Sequence, residues 1–195
     1  MERESPQRLH ISAKFSAELE SVRNDLMTMG GLVESQIERA IDATLEGDSS
    51  LAEEAIDLDL DVNALERSID EQCTRILVLR QPAAGDLRLV LATIKVTNDL
   101  ERIGDEAVKI GRQAISLTEA GAQEEAGARV RDIAGQVNAM LKEALDSFAR
   151  LQVNAAATLI LRDDDIDEAY VAAKDWLTAE IHAKPEALEV SLAYL

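Results

Sequence analysis

From Phe15 to Leu45 the apolar positions Phe15, Leu19, Val22, Leu26, Met29, Val33, Ile37, Ile41 and Leu45 recur every three or four residues, the stripe of one long amphipathic helix. Residues 1–14 ahead of it are expected to form a flexible N-terminus. Gly47-Asp48-Ser49 predicts the helix end, because glycine accepts a helix-stopping turn and Asp48 or Ser49 can cap the next helix. A second stripe runs through Leu51, Ala55, Leu58, Val62, Leu65, Ile69, Cys73, Ile76 and Leu79 without a breaker, so the two helices should form a long antiparallel hairpin. Gln81-Pro82-Ala83-Ala84-Gly85 then reads as a turn, and Asp86 as the cap of a third helix from Leu87 to about Thr118. The dry stripe of that helix is Leu89, Val96, Leu100, Ile103, Ala107, Ile110, Ala114 and Leu117.

Residues 119–127 are polar and carry two glycines, which marks a linker between a first repeat over 15–118 and a second over 128–195. A fourth helix follows Val130, Ile133, Val137, Met140, Ala144 and Phe148. A fifth follows Ala156, Leu159, Ile166, Tyr170, Ala173, Leu177 and Ile181, and a sixth is expected after Pro185. Ile41-Asp42 aligns with Leu145-Asp146 at an offset of 104 residues (145 − 41), and the same offset places Asp59-Leu60-Asp61-Val62-Asn63 on Asp163-Asp164-Asp165-Ile166-Asp167. The chain therefore reads as all-α, two tandem three-helix bundles of long antiparallel helices related by an internal repeat. Gly30-Gly31 falls inside the first helix, where it implies either a kink or a close helix contact.

Composition narrows the function. Against 38 acidic residues stand 20 basic ones, a net charge of −18 that repels phosphate backbones and anionic lipid headgroups, so nucleic acid is not an expected partner. No apolar run approaches the roughly 20 residues of a membrane span, and the polar N-terminus lacks a signal-peptide core, which predicts a cytoplasmic protein without a transmembrane segment. Cys73 is the single cysteine and sits on an apolar stripe, so it reads as a buried small hydrophobe in a reducing compartment.

One helix carries candidate chemistry. Stepping by three and four from Leu87 through Leu91 and Ile94 reaches Asn98, Glu101 and Asp105, so an apolar line turns polar midway. Carboxylates at i, i+4 face the same way and repel unless a cation lies between them. Helix two offers a matching line, Asp59, Asn63, Glu66 and Asp70, repeated in the second half by Asp163 and Asp167. Oxygen-only ligands favour hard ions. A solvated acidic face, with Arg102–Glu106 or Asp105–Lys109 pairs, explains the same spacing. The spacing leaves both readings open. The two histidines, His10 and His182, are not three residues after a glutamate, and no nucleophile elbow, Walker loop or dinucleotide fingerprint occurs, so no enzyme is expected.

The run Gln81-Pro82-Ala83-Ala84-Gly85-Asp86-Leu87-Arg88, followed by Asn98-Asp99-Leu100-Glu101-Arg102-Ile103-Gly104-Asp105-Glu106-Ala107, resembles the PhoU family of phosphate-transport accessory and signalling proteins, and the resemblance extends over essentially the whole chain. It implies a cytoplasmic negative regulator of the phosphate-starvation response, placed at the inner membrane through its partners. Those partners are the ATPase subunit of the phosphate ABC transporter and a phosphate-sensing histidine kinase, and a homodimer is expected. It also implies one acidic motif per repeat that holds iron or zinc, including multinuclear clusters, or another hard divalent ion. The first motif falls on Glu101 and Asp105, with Asn98 one turn earlier and Asp59, Asn63, Asp163 and Asp167 as further candidates. Asp86, Arg88 and Arg102 are the candidate partner contacts. A metal-binding or storage helical module without a signalling role is the alternative. The resemblance places a second Leu-Glu-Arg-Ile-Gly-Asp beyond Leu195, so the last helix is expected to be truncated, leaving an apolar surface that favours dimerisation or instability.

Overall fold

The structure, a computed structural model, describes residues 6–120 and 124–185 together with Leu188, Ser191 and Tyr194. Five helices follow in order: α1 Pro6–Glu46, α2 Ser49–Arg80, α3 Ala84–Ala120, α4 Glu124–Ala149 and α5 Val153–Ala183, and no strand occurs among the described residues. The fold is all-α. Helices α1, α2 and α3 pack against one another as a three-helix bundle; α4 packs on α1, and α5 on α4.

The first turn behaves as its sequence requires. Gly47 takes φ +66° after α1, and the Asp48 carboxylate accepts hydrogen bonds from the backbone N–H of Ser50 at 2.8 Å and Leu51 at 3.3 Å. Other boundaries move. Helix α1 reaches back to Pro6, inside the segment expected to be flexible, and proline suits a first helical position because its missing N–H has no intrahelical acceptor there. Helix α3 starts at Ala84, so Asp86 is not the cap; it lies within the first turn, where its negative charge favours the helix dipole. Helix α4 begins at Glu124 and absorbs Gly127, which narrows the expected 119–127 linker to residues 121–123, outside the described residues. The sixth helix expected after Pro185 lies largely outside them too.

The core sits between α1, α2 and α3, where Leu26, Met29, Val33, Val62, Ile69 and Cys73 are fully buried. Each large aliphatic side chain so buried contributes about 1.5–3 kcal/mol. Burial pushes the Cys73 thiol up to about 11, with Asp70 adding to it, so it stays protonated and serves as packing. On α3 the innermost line is Val90, Thr93, Thr97 and Leu100 rather than the expected Leu89 and Val96, which are only partly buried. Threonine tolerates that depth because its hydroxyl donates to the carbonyl four residues back, Thr97 to Thr93 at 2.9 Å. Arg80 donates to both carboxylate oxygens of Glu18, at 2.7 and 2.8 Å, and holds the α2 C-terminus against α1.

Gly30 settles between kink and contact. A Cβ there would lie 2.5 Å from Leu145 Cδ1, so the glycine lets α4 approach the α1 backbone; Gly31, with nothing within 4 Å, faces open space. Gly127 repeats the device from the other side, its Cβ position lying 3.0 Å from Leu45 Cδ2. Asn138 donates to Glu38 at 3.1 Å across the same joint. In the second repeat, Arg129 stacks 4.5 Å from the Trp176 ring centroid and Arg162 pairs with Glu143, two links between α4 and α5.

Candidate functional site

The polar half of α3 faces the polar line of α2. Burial, then the negative charges of Asp105, Glu66 and Asp59, hold the Glu101 carboxyl above its ordinary 4.5, with Arg102 pulling weakly the other way. Four carboxylates from two helices thus crowd one face. Asp105 is exposed, whereas Glu101, Glu66, Asp59 and Asn63 are half-buried. Asn63 donates to Asp59 Oδ2 at 2.7 Å, one turn along α2. The second oxygen, Asp59 Oδ1, is buried without a hydrogen-bond partner.

The remaining candidates separate from this cluster. Asn98 lies on the exposed side of α3, one turn before Glu101. Asp163 and Asp167 are exposed on α5, whose packing partner is α4, so the repeat's two acidic lines are not brought together by α2 and α3. Lys109 pairs with Glu106 at 2.7 Å rather than with Asp105, which leaves Asp105 to the carboxylate cluster. Asp86, Arg88 and Arg102 are exposed; Asp86 and Arg88 flank the α2–α3 turn together with the exposed apolar Val78, Leu79 and Leu87. That turn is shaped by two left-handed residues, Gln81 at φ 46° and Ala84 at φ 29°.

Oxygen donors fit a hard cation in their chemistry. As the side chains stand, no group of three or more His, Cys, Asp or Glu among the described residues is arranged to hold a metal ion. Binding one ion through several of these carboxylates therefore requires side-chain rotation. A groove of about 610 Å³ opens between α1, α3, α4 and α5; its walls include Ile37, Ile41, Ala107, Ile110, Val130 and Leu177. It is apolar and contains none of the acidic candidates.

One residue of this region escapes a reading by periodicity. Gln36 on α1 is fully buried, and neither its Oε1 nor its Nε2 has a partner. A buried polar group left unpaired costs about 1–3 kcal/mol. Its signal was its place three residues after Val33 and four before Ala40, on the dry face of α1.

Comparison with known proteins places the whole arrangement. The family profile described as the PhoU domain matches residues 26–114 and 130–195. The chain is 46% identical over 92% of its length to a phosphate-specific transport system accessory protein PhoU homolog of Pseudomonas aeruginosa, covering 74% of that protein. It is 44% identical to the Escherichia coli phosphate-specific transport system accessory protein PhoU over 83% of this chain and 66% of that one. The crystal structure of PhoU from Pseudomonas aeruginosa superposes with a TM-score of 0.89 at 44% identity, over 92% of this chain and 86% of that one. A phosphate transport system regulatory protein PhoU from Streptococcus pneumoniae superposes with a TM-score of 0.84 at 27% identity, over 93% of this chain and 84% of that one.

Proposed function

The chain belongs to the PhoU family, and from that premise we propose that it is a non-enzymatic regulator of phosphate homeostasis in the cytoplasm. In this reading it restrains the phosphate-starvation response by docking to the ATPase subunit of a phosphate transporter and to a phosphate-sensing histidine kinase. The observation that carries it is the 46% identity, along nearly the whole chain, to a protein named as an accessory of phosphate-specific transport. Its long exposed helix faces and net charge of −18 suit recognition of basic partner patches, which governs association rate and partner choice more than affinity. Asp86, Arg88 and Arg102 are the exposed charged residues we assign to those contacts. No helix among the described residues is long and apolar enough to cross a membrane, so attachment to a transporter would run through protein contacts.

The α2–α3 carboxylates add a cation to this proposal. Glu101 and Asp105 would hold an iron, zinc or other hard divalent ion, with Asn98, Asp59 and Asn63 nearby, and the bound charge would offset the burial and the neighbouring carboxylates that hold the Glu101 carboxyl above its ordinary value.

A phosphatase reporter of the phosphate-starvation response tests the regulator. Deleting this gene should give constitutive expression in phosphate-rich medium; normal repression would overturn the reading. Metal content of protein purified without chelator tests the cation separately, since equal metal in wild type and in Glu101→Ala/Asp105→Ala would remove these residues from any site.

A further inference from the structure

Where α2 gives way to α3, large apolar side chains lie outside the core. Val78 and Leu79 are each 66% exposed, and across the turn Leu87 and Leu91 are 37% and 46% exposed. Leu79 closes the stripe expected to be dry, so it departs from the pattern that Val62, Ile69, Cys73 and Ile76 follow further back along α2. A single exposed leucine needs no explanation, but several gathered at one end of a bundle form a patch of the kind that marks an interaction site.

The charge changes sign in the same place. Residues 72–95 hold Arg75, Arg80, Arg88 and Lys95 against one carboxylate, Asp86, in a chain with 38 acidic and 20 basic residues. Arg80 is taken up by Glu18, whereas Arg75, Arg88 and Lys95 form no ion pair among the described residues. Exposed apolar side chains beside unpaired arginines match the centre of a protein interface, where arginine is enriched and carboxylates are depleted.

The turn is also held in shape. Gln81 and Ala84 take left-handed backbone that side chains disfavour, a strain that persists where the surroundings fix it and that collects at binding sites. The paired hydrogen bonds from Arg80 to Glu18 anchor the end of α2 to α1, so the apolar side chains are presented without much left to order on binding. The second repeat does not reproduce this surface. Counted from the turn prolines Pro82 and Pro185, the place of Leu79 is taken by His182 and that of Arg88 by Ser191, which is fully buried.

We propose that this end of the first bundle is the surface by which the chain seats in the transporter ATPase subunit, in a pocket with an aliphatic floor and a rim of carboxylates. The inference rests on the regulator reading above and reverses its charge locally: the acidic faces suit basic patches, and this end suits an acidic one. A bilayer also accepts aliphatic side chains and cations. The net charge of −18 opposes anionic headgroups, however, and residues 72–95 contain no aromatic side chain to sit at a membrane interface.

The test measures binding of the full chain to the purified ATPase subunit at two KCl concentrations. Leu79→Asp and Arg88→Glu should each weaken binding by about tenfold or more. Both positions are exposed, and a carboxylate at position 88 suits the opening turn of α3, so circular dichroism should show the fold unchanged. Leu60→Asp is the control, because Leu60 is 72% exposed on α2 away from this end, and it should bind like wild type. Added KCl should weaken wild type more than Arg88→Glu, since the variant has lost one of the attracting charges. Wild-type binding by Leu79→Asp and Arg88→Glu would overturn the proposal, as would an equal loss in Leu60→Asp. Vesicles of phosphatidylglycerol and phosphatidylethanolamine test the bilayer: capture of wild type that Leu79→Asp abolishes would assign the patch to lipid and overturn the protein pocket. A wild type that does not bind the subunit also overturns it, while the reporter phenotype of the deletion decides separately whether the regulator reading stands.

Discussion

The two halves of this molecule come from one repeated pattern and bury very different amounts of themselves. In the first, α1, α2 and α3 each contact the other two, and the fully buried large side chains Leu26, Met29, Val33, Ile69, Ile76, Leu100 and Leu117 all belong to them. In the second, α4 and α5 contribute Ala126, Leu145 and Leu177 to the buried apolar set, while Ile160 and Leu161 of α5 are each 68% exposed. A helix with an apolar stripe needs two neighbours to close a three-helix core, and α5 has α4 as its main one. The stability of the described structure is therefore concentrated in the first bundle, and α4 is held largely by what it finds on α1.

The sharpest way to break this contrast is to delete side chains on both sides of it. Leu26→Ala should destabilise by about 2–5 kcal/mol, because it opens a cavity where the side chain has no exposure. Ile160→Ala, on the exposed face of α5, should stay within about 0.5 kcal/mol. Urea denaturation of the two variants measures the difference, and equal losses would place the second half on the same footing as the first.

Adjacent glycines sharpen the description of the joint. Gly30→Ala forces Leu145 to shift and should destabilise by about 1–2 kcal/mol, the lower part of the overpacking range. Gly31→Ala meets nothing within 4 Å and should stabilise by up to about 1 kcal/mol through helix propensity alone. The same chemical change one residue apart should thus have opposite signs. Chemical denaturation read through Trp176, which lies on α5, reports it; two gains would mean that α4 does not rest on Gly30.

The smallest effect concerns charge. A carboxyl held above its ordinary value in the fold is a penalty at neutral pH, relieved as pH falls through the raised value because the folded form takes up the proton first. Glu101→Gln should accordingly stabilise by about 0.2–0.5 kcal/mol at pH 7 in the absence of metal, with the gain vanishing once Glu101 is protonated in wild type. Glu18 runs the other way. Its hydrogen bond to Arg80 holds it below 4.5, so its contribution is present above that value and is lost as pH falls through the depressed one. Melting curves of wild type, Glu101→Gln and Glu18→Gln across acidic pH separate the two, and a Glu101→Gln gain that persisted in acid would point to packing rather than charge.

Periodicity made the rods legible because each stripe records which face is dry. The α1–α2 turn was legible in full, since Gly47 and Asp48 carry their roles in their own chemistry. What stripes do not record is what lies opposite. Gly30 reads alike as hinge or as contact until Leu145 is placed against it, and the α3 stripe counted Leu89 and Val96 over Thr93 and Thr97 because hydroxyls that bond within their own helix look polar in a sequence. The acidic face was visible as two separate lines, and the fold brings Glu101, Asp105, Glu66 and Asp59 together. Gln36 falls on the dry face by its spacing from Val33 and Ala40, yet its amide makes it look like a surface residue until its neighbours are known.

Gly30 lets Leu145 of α4 rest on the α1 backbone and Gly127 lets Leu45 of α1 rest on the α4 backbone, so α1 works as a beam shared by α2 and α3 on the one hand and α4 on the other. A partner that pulled on α4 would therefore lean on the rod that carries the core of the first bundle.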